Sequence, residues 1–247
     1  MGQGSLNISD QNYDNKPGKV EISVIIPVLG ETERINSLIG LLKKQPFSKN
    51  SEIIVVDGER QGETVKTITD CEVITALSEA SRAKQMNTGA KIARGKVLVF
   101  LHADTTLPLN AYEKIIKTLQ NEKIPAGAFD LGIDSDRFIY RWIAFWGRIR
   151  SRLMRVPFGD QAVFIRKEYF HKIGGYKEIS LMEDVELMRR IKKRGDKIVI
   201  LKDRVKTSAR RWKKEGAVFG TVRNIVLLTL YYLGVDPNRL AKFYRNN

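Results

Sequence analysis

Cysteine and histidine are nearly absent from this 247-residue chain, which has one cysteine and two histidines. A single thiol, Cys71, excludes an intramolecular disulfide and is typical of a reducing compartment. The histidines, His102 and His171, have no further Cys or His at zinc-ligand spacing, so a zinc site is not expected. There is no apolar run of about 18 residues, and residues 1–19 are polar, so neither a transmembrane helix nor a secretory signal is expected. We therefore expect a cytoplasmic protein.

Acidic residues are also few: 28 Asp and Glu stand against 43 Lys and Arg, and the formal net charge is +15. Such an excess favours anionic partners, whether nucleic acid, anionic lipid or phosphorylated small molecules, and does not choose among them. Part of the excess lies from Arg137 to Arg155, where six arginines are interleaved with aromatic residues. This stretch is typical of an amphipathic helix, either packed on a sheet with a solvated basic face or lying on a membrane surface, such as the inner face of a membrane.

Residues 1–19 carry little that could pack and are predicted to form a disordered tail before one domain over residues 20–247. Apolar strand-like runs then alternate with segments of helical periodicity. Strands are predicted at Glu21–Pro27, Ser51–Asp57 and Cys71–Thr75 and from Val97 onward. This alternation predicts an α/β fold with a mostly parallel central sheet flanked by helices.

Acidic side chains stand where ligands bind in such sheets. Asp57 ends the second strand, Asp104 follows the apolar run Val97–Leu101, and Glu183 and Asp184 open a predicted helix. The carboxyl ends of parallel strands meet at one edge of the sheet, and ligands bind in the crevice outside them. A carboxylate there can hold a divalent metal and, through it, a diphosphate. Turn formation and helix capping are the ordinary alternatives for each residue taken alone.

The order and spacing of short motifs are more specific than any single residue. Over residues 22–212 they are P-V-L-G-E, V-V-D-G, R-A-K-Q-M-N-T-G-A, F-L-H-A-D-T, F-G-D-Q, L-M-E-D-V-E-L and T-S-A-R-R-W. The series resembles the family 2 glycosyltransferases of the GT-A fold, and its last four motifs are similar to those of a bacterial subgroup labelled arsenosugar-type. The resemblance implies one GT-A domain with a nucleotide-binding half at about residues 20–127 and an acceptor half at about residues 128–247.

On the donor side, the resemblance assigns five residues to the nucleotide pocket. Pro27 and Glu31 match the ends of the family's P-x-Y-N-E loop, whose usual Tyr and Asn are replaced in this chain. Asp57 matches the Asp that contacts the base, typically uracil. Arg82 and Asn87 fall in the loop and helix that pass the nucleotide.

The metal and the general base are also implied by the resemblance. Asp104 corresponds to the second Asp of the family's D-x-D motif, the usual metal ligand, and is expected to bind a divalent cation. His102 stands at the first Asp position and is either a further ligand or a hydrogen-bonded structural residue. Asp184, preceded by Glu183, matches the E-D motif, whose Asp is the general base that accepts the proton of the attacking hydroxyl.

Glu183 and four more residues are expected on the acceptor or diphosphate side. Asp160 and Gln161 either touch the acceptor or the sugar, or form a turn. Arg211 and Trp212 resemble the end of the Q-x-x-R-W motif of processive members, but Ser208 replaces its Gln, which weakens the case for a polymerising enzyme. Trp212 either stacks on a sugar ring or packs in the core.

The resemblance thus implies a glycosyltransferase, hexosyl or related, that uses Mg²⁺ or Mn²⁺. It would move a sugar from a nucleotide-diphosphate donor, a UDP-sugar by family precedent, to a hydroxyl acceptor, including one carried by a lipid. A single displacement would invert the anomeric carbon. The alternatives are a non-catalytic protein that binds nucleotide-sugar or scaffolds a membrane complex, and a basic nucleic-acid-binding protein. No helix-turn-helix, RRM or zinc-finger signature supports the last, so a nucleic-acid partner is not expected.

Overall fold

The computed structural model describes residues 20–245, so the tail predicted over residues 1–19 lies outside the described part. The strands in this range are β1 Ile22–Val28, β2 Ser51–Asp57, β3 Ile74–Leu77, β4 Val97–Phe100, β5 Thr105–Thr106, β6 Ala126–Asp130, β7 Ile133–Asp134, β8 Val163–Arg166, β9 Ile198–Arg204 and β10 Lys206–Ser208. The α-helices are α1 Ile35–Lys43, α2 Glu63–Lys66, α3 Arg82–Ile92, α4 Ala111–Leu119, α5 Phe138–Met154, α6 Lys167–Lys172, α7 Glu183–Lys193, α8 Arg210–Glu215, α9 Ala217–Tyr232 and α10 Pro237–Arg245. Short 3₁₀ helices lie at Ser48–Asn50 and Gly159–Gln161.

Seven strands form the central sheet, in the order β3-β2-β1-β4-β8-β6-β9. β1 pairs in parallel with β2 and β4, β2 with β3, and β6 with β9. Only β8 runs antiparallel to its two neighbours in this sheet. The sheet is therefore mostly parallel and flanked by helices, as predicted. A second sheet of three short strands has the order β5-β10-β7.

Both faces of the central sheet are buried, which explains why its strands read as continuous apolar runs. In β1, Ile25 packs in the cluster that holds Met86 of α3, whereas Val24 and Ile26 pack in the cluster that holds Tyr112 of α4. All five side chains are almost fully buried. Full burial of one such aliphatic side chain contributes about 1.5–3 kcal/mol. Helices on both sides are thus required to cover the sheet.

Two strand boundaries differ from the prediction. β1 continues through Pro27 to Val28, with Pro27 in register with Val56 of β2. The third strand lies at Ile74–Leu77 and not at Cys71–Thr75, because its register with β2 pairs Ile74 with Ile54. Pairing with a neighbour, rather than local composition, decides such ends.

The antiparallel direction of β8 determines where the acceptor half meets the nucleotide half. Val163, at the start of β8, is in register with Phe100, at the end of β4. The turn Gly159–Gln161, which precedes β8, therefore lies beside His102, which follows β4. A parallel β8 would have carried this turn to the opposite edge of the sheet.

The small sheet holds the segment that follows β4. The backbone N–H of Ser208 donates to the carbonyl oxygen of Asp104 at 2.9 Å. The hydroxyls of Thr105 and Thr207 are 3.1 Å apart and buried. These contacts join β10, and the helix α8 that follows it, to the loop that carries Asp104. Within residues 20–245, no helix has both the length and the apolar character needed to cross a bilayer.

Candidate active site

Arg82, at the start of α3, lies among the carboxylates of Asp104, Asp160, Glu183 and Asp184, which we call the acidic cluster. Its Nη1 is 3.5 Å from Oε1 of Glu183, the first residue of α7. The pKa of Arg82 is raised: burial opposes the rise, but the negative charges of Glu183, Asp184 and Asp104 outweigh it. Geometry agrees, because Gly159 donates its N–H to Asp184 and lies against His102, two residues before Asp104. The structure thus brings Asp104 and Asp184, which are distant in sequence, to one site.

Two backbone amides hold the Asp184 carboxylate. Oδ2 accepts a hydrogen bond from the N–H of Gly159 at 2.6 Å, and Oδ1 accepts one from the N–H of Val185 at 2.7 Å. Its place in the first turn of α7 also suits the helix dipole. A Cβ at Gly159 would lie 2.8 Å from His102 Nε2 and 3.4 Å from Asp184 Oδ2. Only glycine allows the turn, His102 and Asp184 to approach this closely.

Asp160 and Glu183 are the carboxyls of the cluster whose pKa values are raised. Burial first, and then the negative charge of Asp184, raises the pKa of Asp160 to about 6. Asp104 adds to the rise, and the positive charge of Arg150 on α5 opposes it. The Oδ1 atom of Asp160 is buried and has no hydrogen-bond partner among the described residues. This oxygen is therefore free to accept a proton or a cation.

We expect Asp160→Asn to raise the free energy of unfolding of the metal-free protein at about pH 7 by on the order of 3 kcal/mol. Because the folded pKa of Asp160 is raised, the fold favours the protonated carboxyl. The stability that this form contributes is complete below the unfolded pKa, near 3.8, and is lost as pH rises through the folded pKa, about 6. Urea unfolding in EDTA at several pH values should show the gain near neutrality and almost none at about pH 3. Asp136→Asn, at an exposed carboxyl, is the control and should show little change. An Asp160→Asn protein no more stable than wild type at neutral pH contradicts the prediction.

His102 is held as a neutral imidazole. Burial, followed by the positive charges of Arg82 and Arg211, lowers the pKa of His102 well below its ordinary value. Its Nε2 is buried and lacks a hydrogen-bond partner in the described part of the chain. Neutral imidazole is the form that binds metals.

The cluster fits a cation that is bound jointly with a diphosphate. No three His, Cys, Asp or Glu side chains within residues 20–245 are arranged to hold a metal by themselves. However, Asp160 Oδ1 and His102 Nε2 are unpartnered polar atoms in the same cluster as Asp104. Mg²⁺ is commonly held by one or two carboxylates together with the phosphates of a substrate. Asp104 and Asp160 could supply those carboxylates.

Asp57 organises the loop between β2 and α2. Its side chain is fully buried and accepts hydrogen bonds from the backbone N–H groups of Glu59, Thr64 and Val65, at 3.0, 2.9 and 3.2 Å. Such bonds shape the edge of the predicted nucleotide pocket. The contact of Asp57 with a base stays a prediction.

Glu31 joins the two halves of the domain. Its Oε1 accepts a hydrogen bond from Nη2 of Arg210 in α8 at 2.6 Å, and its backbone N–H donates to Thr64 Oγ1 at 3.1 Å. Pro27 is partly buried, near the end of β1. The loop that follows β1 therefore packs under α8, next to the chain that carries Arg211.

Two predicted site residues use their side-chain amides to hold loops. Asn87 donates to the carbonyl of Tyr176 and accepts from its N–H, both at 2.9 Å. Gln161 is fully buried; its Nε2 donates to the Phe129 carbonyl at 2.8 Å, and its Oε1 accepts from the N–H of Phe158 at 3.2 Å. Gln161 was expected either to touch the acceptor or the sugar or to form a turn, and in the structure it lies in the 3₁₀ turn Gly159–Gln161. Both amides are thus engaged with backbone groups, and the contact of the partly exposed Asn87 with a nucleotide stays a prediction.

Arg211 and Trp212, although adjacent, point in different directions. The Arg211 guanidinium lies 4.5 Å from the ring centre of Tyr244, and its charge contributes to the lowered pKa of His102. The Trp212 ring packs 6.4 Å from that of Tyr140 on α5. Arg211 therefore borders the cluster. Trp212 packs against α5 and stays partly exposed, so its stacking on a sugar stays a prediction.

Three residues near the acidic cluster were not predicted from the sequence, because no motif singled them out. Tyr176 is buried, and burial together with the charges of Asp184 and Glu183 raises the pKa of its hydroxyl. Tyr244, in α10, comes within reach of Arg82 only in the tertiary structure. Arg150 belonged to the arginine-rich stretch, but nothing in the pattern singled it out from its neighbours.

The fold is GT-A-like. A mannosyltransferase, PcManGT from Pyrobaculum calidifontis in complex with GDP-Man and Mn²⁺, superposes with a TM-score of 0.61 at 18% sequence identity, over 76% of this chain and 57% of that one. At this identity the likeness concerns the fold alone.

The sequence comparisons point the same way. A probable glycosyltransferase, YdaM of Bacillus subtilis (strain 168), is 26% identical over 196 residues, which cover 69% of this chain and 46% of YdaM. The chain thus spans about half the length of the relatives that it matches. The sequence model of the family described as "Glycosyl transferase family 2" matches residues 23–177, more than half of the chain. The chain therefore belongs to glycosyl transferase family 2.

Proposed function

We propose that this protein moves a sugar from a nucleotide-diphosphate donor to an alcohol by one displacement at the acidic cluster. The observation that carries the proposal is the convergence of Asp104, Asp160 and Asp184 at the Gly159 turn, near Arg82. The reaction needs fixed charge where a diphosphate leaves and a carboxylate where a hydroxyl loses its proton. Membership of family 2 supports sugar transfer as the reaction.

The donor diphosphate is assigned to the loop after β4. Asp104 would hold a divalent cation together with phosphate oxygens, with Asp160 Oδ1 and His102 Nε2 as further candidate ligands. When bound, Mg²⁺ or Mn²⁺ neutralises the charge that develops on the departing diphosphate. Arg82 supplies a fixed positive charge from the protein itself.

Asp184 is proposed as the general base. The acceptor oxygen bonds to the anomeric carbon, the bond to the diphosphate oxygen breaks with its electron pair, and the acceptor proton passes to Asp184. Such a displacement inverts the anomeric carbon. The bonds from Gly159 and Val185 fix the orientation of the carboxylate while leaving lone pairs on both oxygens. Asp160 is the rival for this role, because its pKa of about 6 suits a base near neutral pH.

The donor is proposed to be a nucleoside-diphosphate sugar with uridine as the nucleoside, as the motif resemblance implies. The mannosyltransferase of similar fold holds GDP-Man, so guanosine is the competing choice. The arsenosugar-type subgroup stays a prediction of the motif pattern and names no donor of its own.

A thermal-shift panel of UDP-, GDP- and dTDP-sugars, each with and without Mn²⁺, tests this assignment. A ligand at about 100 times its Kd stabilises the folded state by about 2.7 kcal/mol, so the true donor should raise Tm by several degrees. We expect the largest rise with a UDP-sugar, and only when Mn²⁺ is present. A larger rise in Tm with a GDP-sugar would assign guanosine in place of uridine and leave the proposed reaction unchanged. No rise with any nucleotide sugar contradicts the proposal.

A non-catalytic binding or scaffold protein is the main alternative. It would show the same rise in Tm but neither donor hydrolysis nor transfer, and substitution of Asp184 would leave its ligand binding unchanged. Retention on DNA that falls with salt, without nucleotide-sugar binding, would favour the nucleic-acid alternative.

A further inference from the structure

Exposed apolar side chains are concentrated on two neighbouring helices. On α5 the outward residues are Phe138, Trp142, Phe145, Trp146 and Leu153, of which Phe138 and Leu153 are 78% and 80% exposed. At 3.6 residues per turn, these five lie within about 100° of the helix circumference. They form a stripe on the side opposite the buried residues Tyr140, Ala144 and Ser151. An amphipathic helix that only covered the sheet would turn its apolar face inward.

The helix α9 repeats this arrangement. Val218, Phe219, Val222, Ile225 and Val226 are all exposed and lie within about 120° of its circumference. The opposite side of α9 is buried, through residues that include Gly220, Leu227 and Leu228. We call the ten exposed residues of the two helices the α5–α9 surface.

The two stripes belong to adjoining helices. α5 and α9 pack against each other directly. Trp212 joins them further, because its ring faces Tyr140 of α5 and lies 3.5 Å from the position of a Cβ at Gly220 of α9. Soluble monomers rarely expose contiguous apolar patches larger than a few hundred Å², and larger ones mark interaction sites.

We propose that the α5–α9 surface docks on an anionic lipid bilayer. Trp and Phe rings favour the boundary between headgroups and acyl chains, and the aliphatic stripe of α9 suits the acyl side. Arg141 is exposed along the edge of the α5 stripe, and the exposed Arg155 follows the helix. Arg152, at the same edge, is already paired with the buried carboxylate of Asp130. Neither helix contains an Asp or a Glu. The positive border complements anionic headgroups, to which each basic residue adds attraction.

Charge complementarity favours an anionic bilayer over a second copy of the chain or nucleic acid as the partner of this surface. A second copy of the chain would bring the same two helices, which have no Asp or Glu, so it would add positive charge to the interface without a carboxylate to pair with the arginines. Nucleic acid would satisfy the arginines and leave the aliphatic side chains of α9 uncovered.

Docking would place α5 between the bilayer and the acidic cluster. Arg150, on this same helix, opposes the rise in the pKa of Asp160. If the proposed function holds, an acceptor alcohol carried by a lipid would be presented beside the cluster. The docking itself does not depend on that function.

Flotation with vesicles of phosphatidylcholine, with and without phosphatidylglycerol, tests the proposal in the absence of donor. We expect wild type to float with the phosphatidylglycerol vesicles and to be released by salt. Two double variants, one on each helix, should each weaken vesicle binding at least tenfold. They are Phe145→Ser with Trp146→Ser on α5 and Ile225→Ser with Val226→Ser on α9. Arg141→Glu should weaken binding to the anionic vesicles. The matched control is Leu41→Ser with Leu109→Ser, at exposed leucines elsewhere, and should bind as wild type does.

Several outcomes would overturn the proposal: no flotation of wild type, equal loss in the control pair, or a dimer in light scattering that the same serine pairs dissociate. Because the substituted side chains are exposed, circular dichroism should show unchanged folding. Asp184→Asn should float as well as wild type, so failure of the proposed reaction and failure of docking are distinguishable.

Discussion

Replacing Asp184 by Asn is expected to lower kcat by about 10²–10⁴-fold, the range that a positioned general base contributes. Asn keeps the size of the side chain and can still accept a hydrogen bond from Gly159, but it cannot take the proton of the acceptor. The fall should therefore appear in kcat, with little change in the donor concentration at half-saturation. Initial rates of transfer under saturating donor and Mn²⁺ measure it.

Asp160→Asn is the matched comparison, because both carboxyls belong to the same cluster. If Asp184 is the base, Asp184→Asn loses more activity than Asp160→Asn, and the latter keeps the acidic limb of the pH profile. A larger loss in Asp160→Asn, with that limb abolished, moves the role to Asp160. Equal, near wild-type rates in both variants refute the assignment of a base to this cluster.

Replacing Asp104 by Ala is expected to lower kcat/KM by about 100-fold or more. A cation at a leaving diphosphate supplies several kcal/mol of stabilisation, and each 1.4 kcal/mol corresponds to a factor of ten. Without its carboxylate ligand, the variant should lose the increase in Tm that donor and Mn²⁺ produce together. Titration with Mn²⁺ at fixed donor, followed by rate and by Tm, measures both effects.

The variant Asp134→Ala is the control for Asp104→Ala, since it removes an exposed carboxylate on β7. We expect it to keep wild-type rates and the Mn²⁺-dependent shift. Because Asp104 is only partly buried, the ligand-free Asp104→Ala protein should melt close to wild type. A variant that keeps full Mn²⁺-dependent activity would show that Asp104 does not hold the metal.

The acidic cluster illustrates a compromise between stability and activity. Burial first, and then the negative charges of Asp184 and Asp104, raise the pKa of Asp160. Arg82 and Arg150 relieve part of this repulsion. A neutral substitution at Asp160 is therefore expected to stabilise the metal-free fold while impairing the site, a common relation at functional sites.

Several parts of the fold could be predicted because their signals are local. The β–α alternation of the first half produces parallel strands in sequence order, and the apolar runs of β1, β2 and β4 follow from burial on both faces. The positions of Asp57 at a strand end and of Asp184 at a helix start were read from the same patterns and agree with the structure, whereas Asp104 lies in the loop between β4 and β5. The exposed stripe of α5 shows the limit of this approach, because helical periodicity alone does not say which face turns inward.

By itself, then, the sequence determined the mostly parallel sheet and the positions of Asp57 and Asp184 within their elements, since these depend on neighbours along the chain. The order of its motifs also predicted the family that the sequence model confirms. Only the tertiary structure decided the antiparallel entry of β8, which sets Gly159 and Asp160 beside His102. It alone also gave the burial of Gln161 and the approach of Tyr244 to Arg82. The reason is that strand pairing, burial and the electrostatic field at a carboxyl depend on groups far apart in the chain, which no local pattern records.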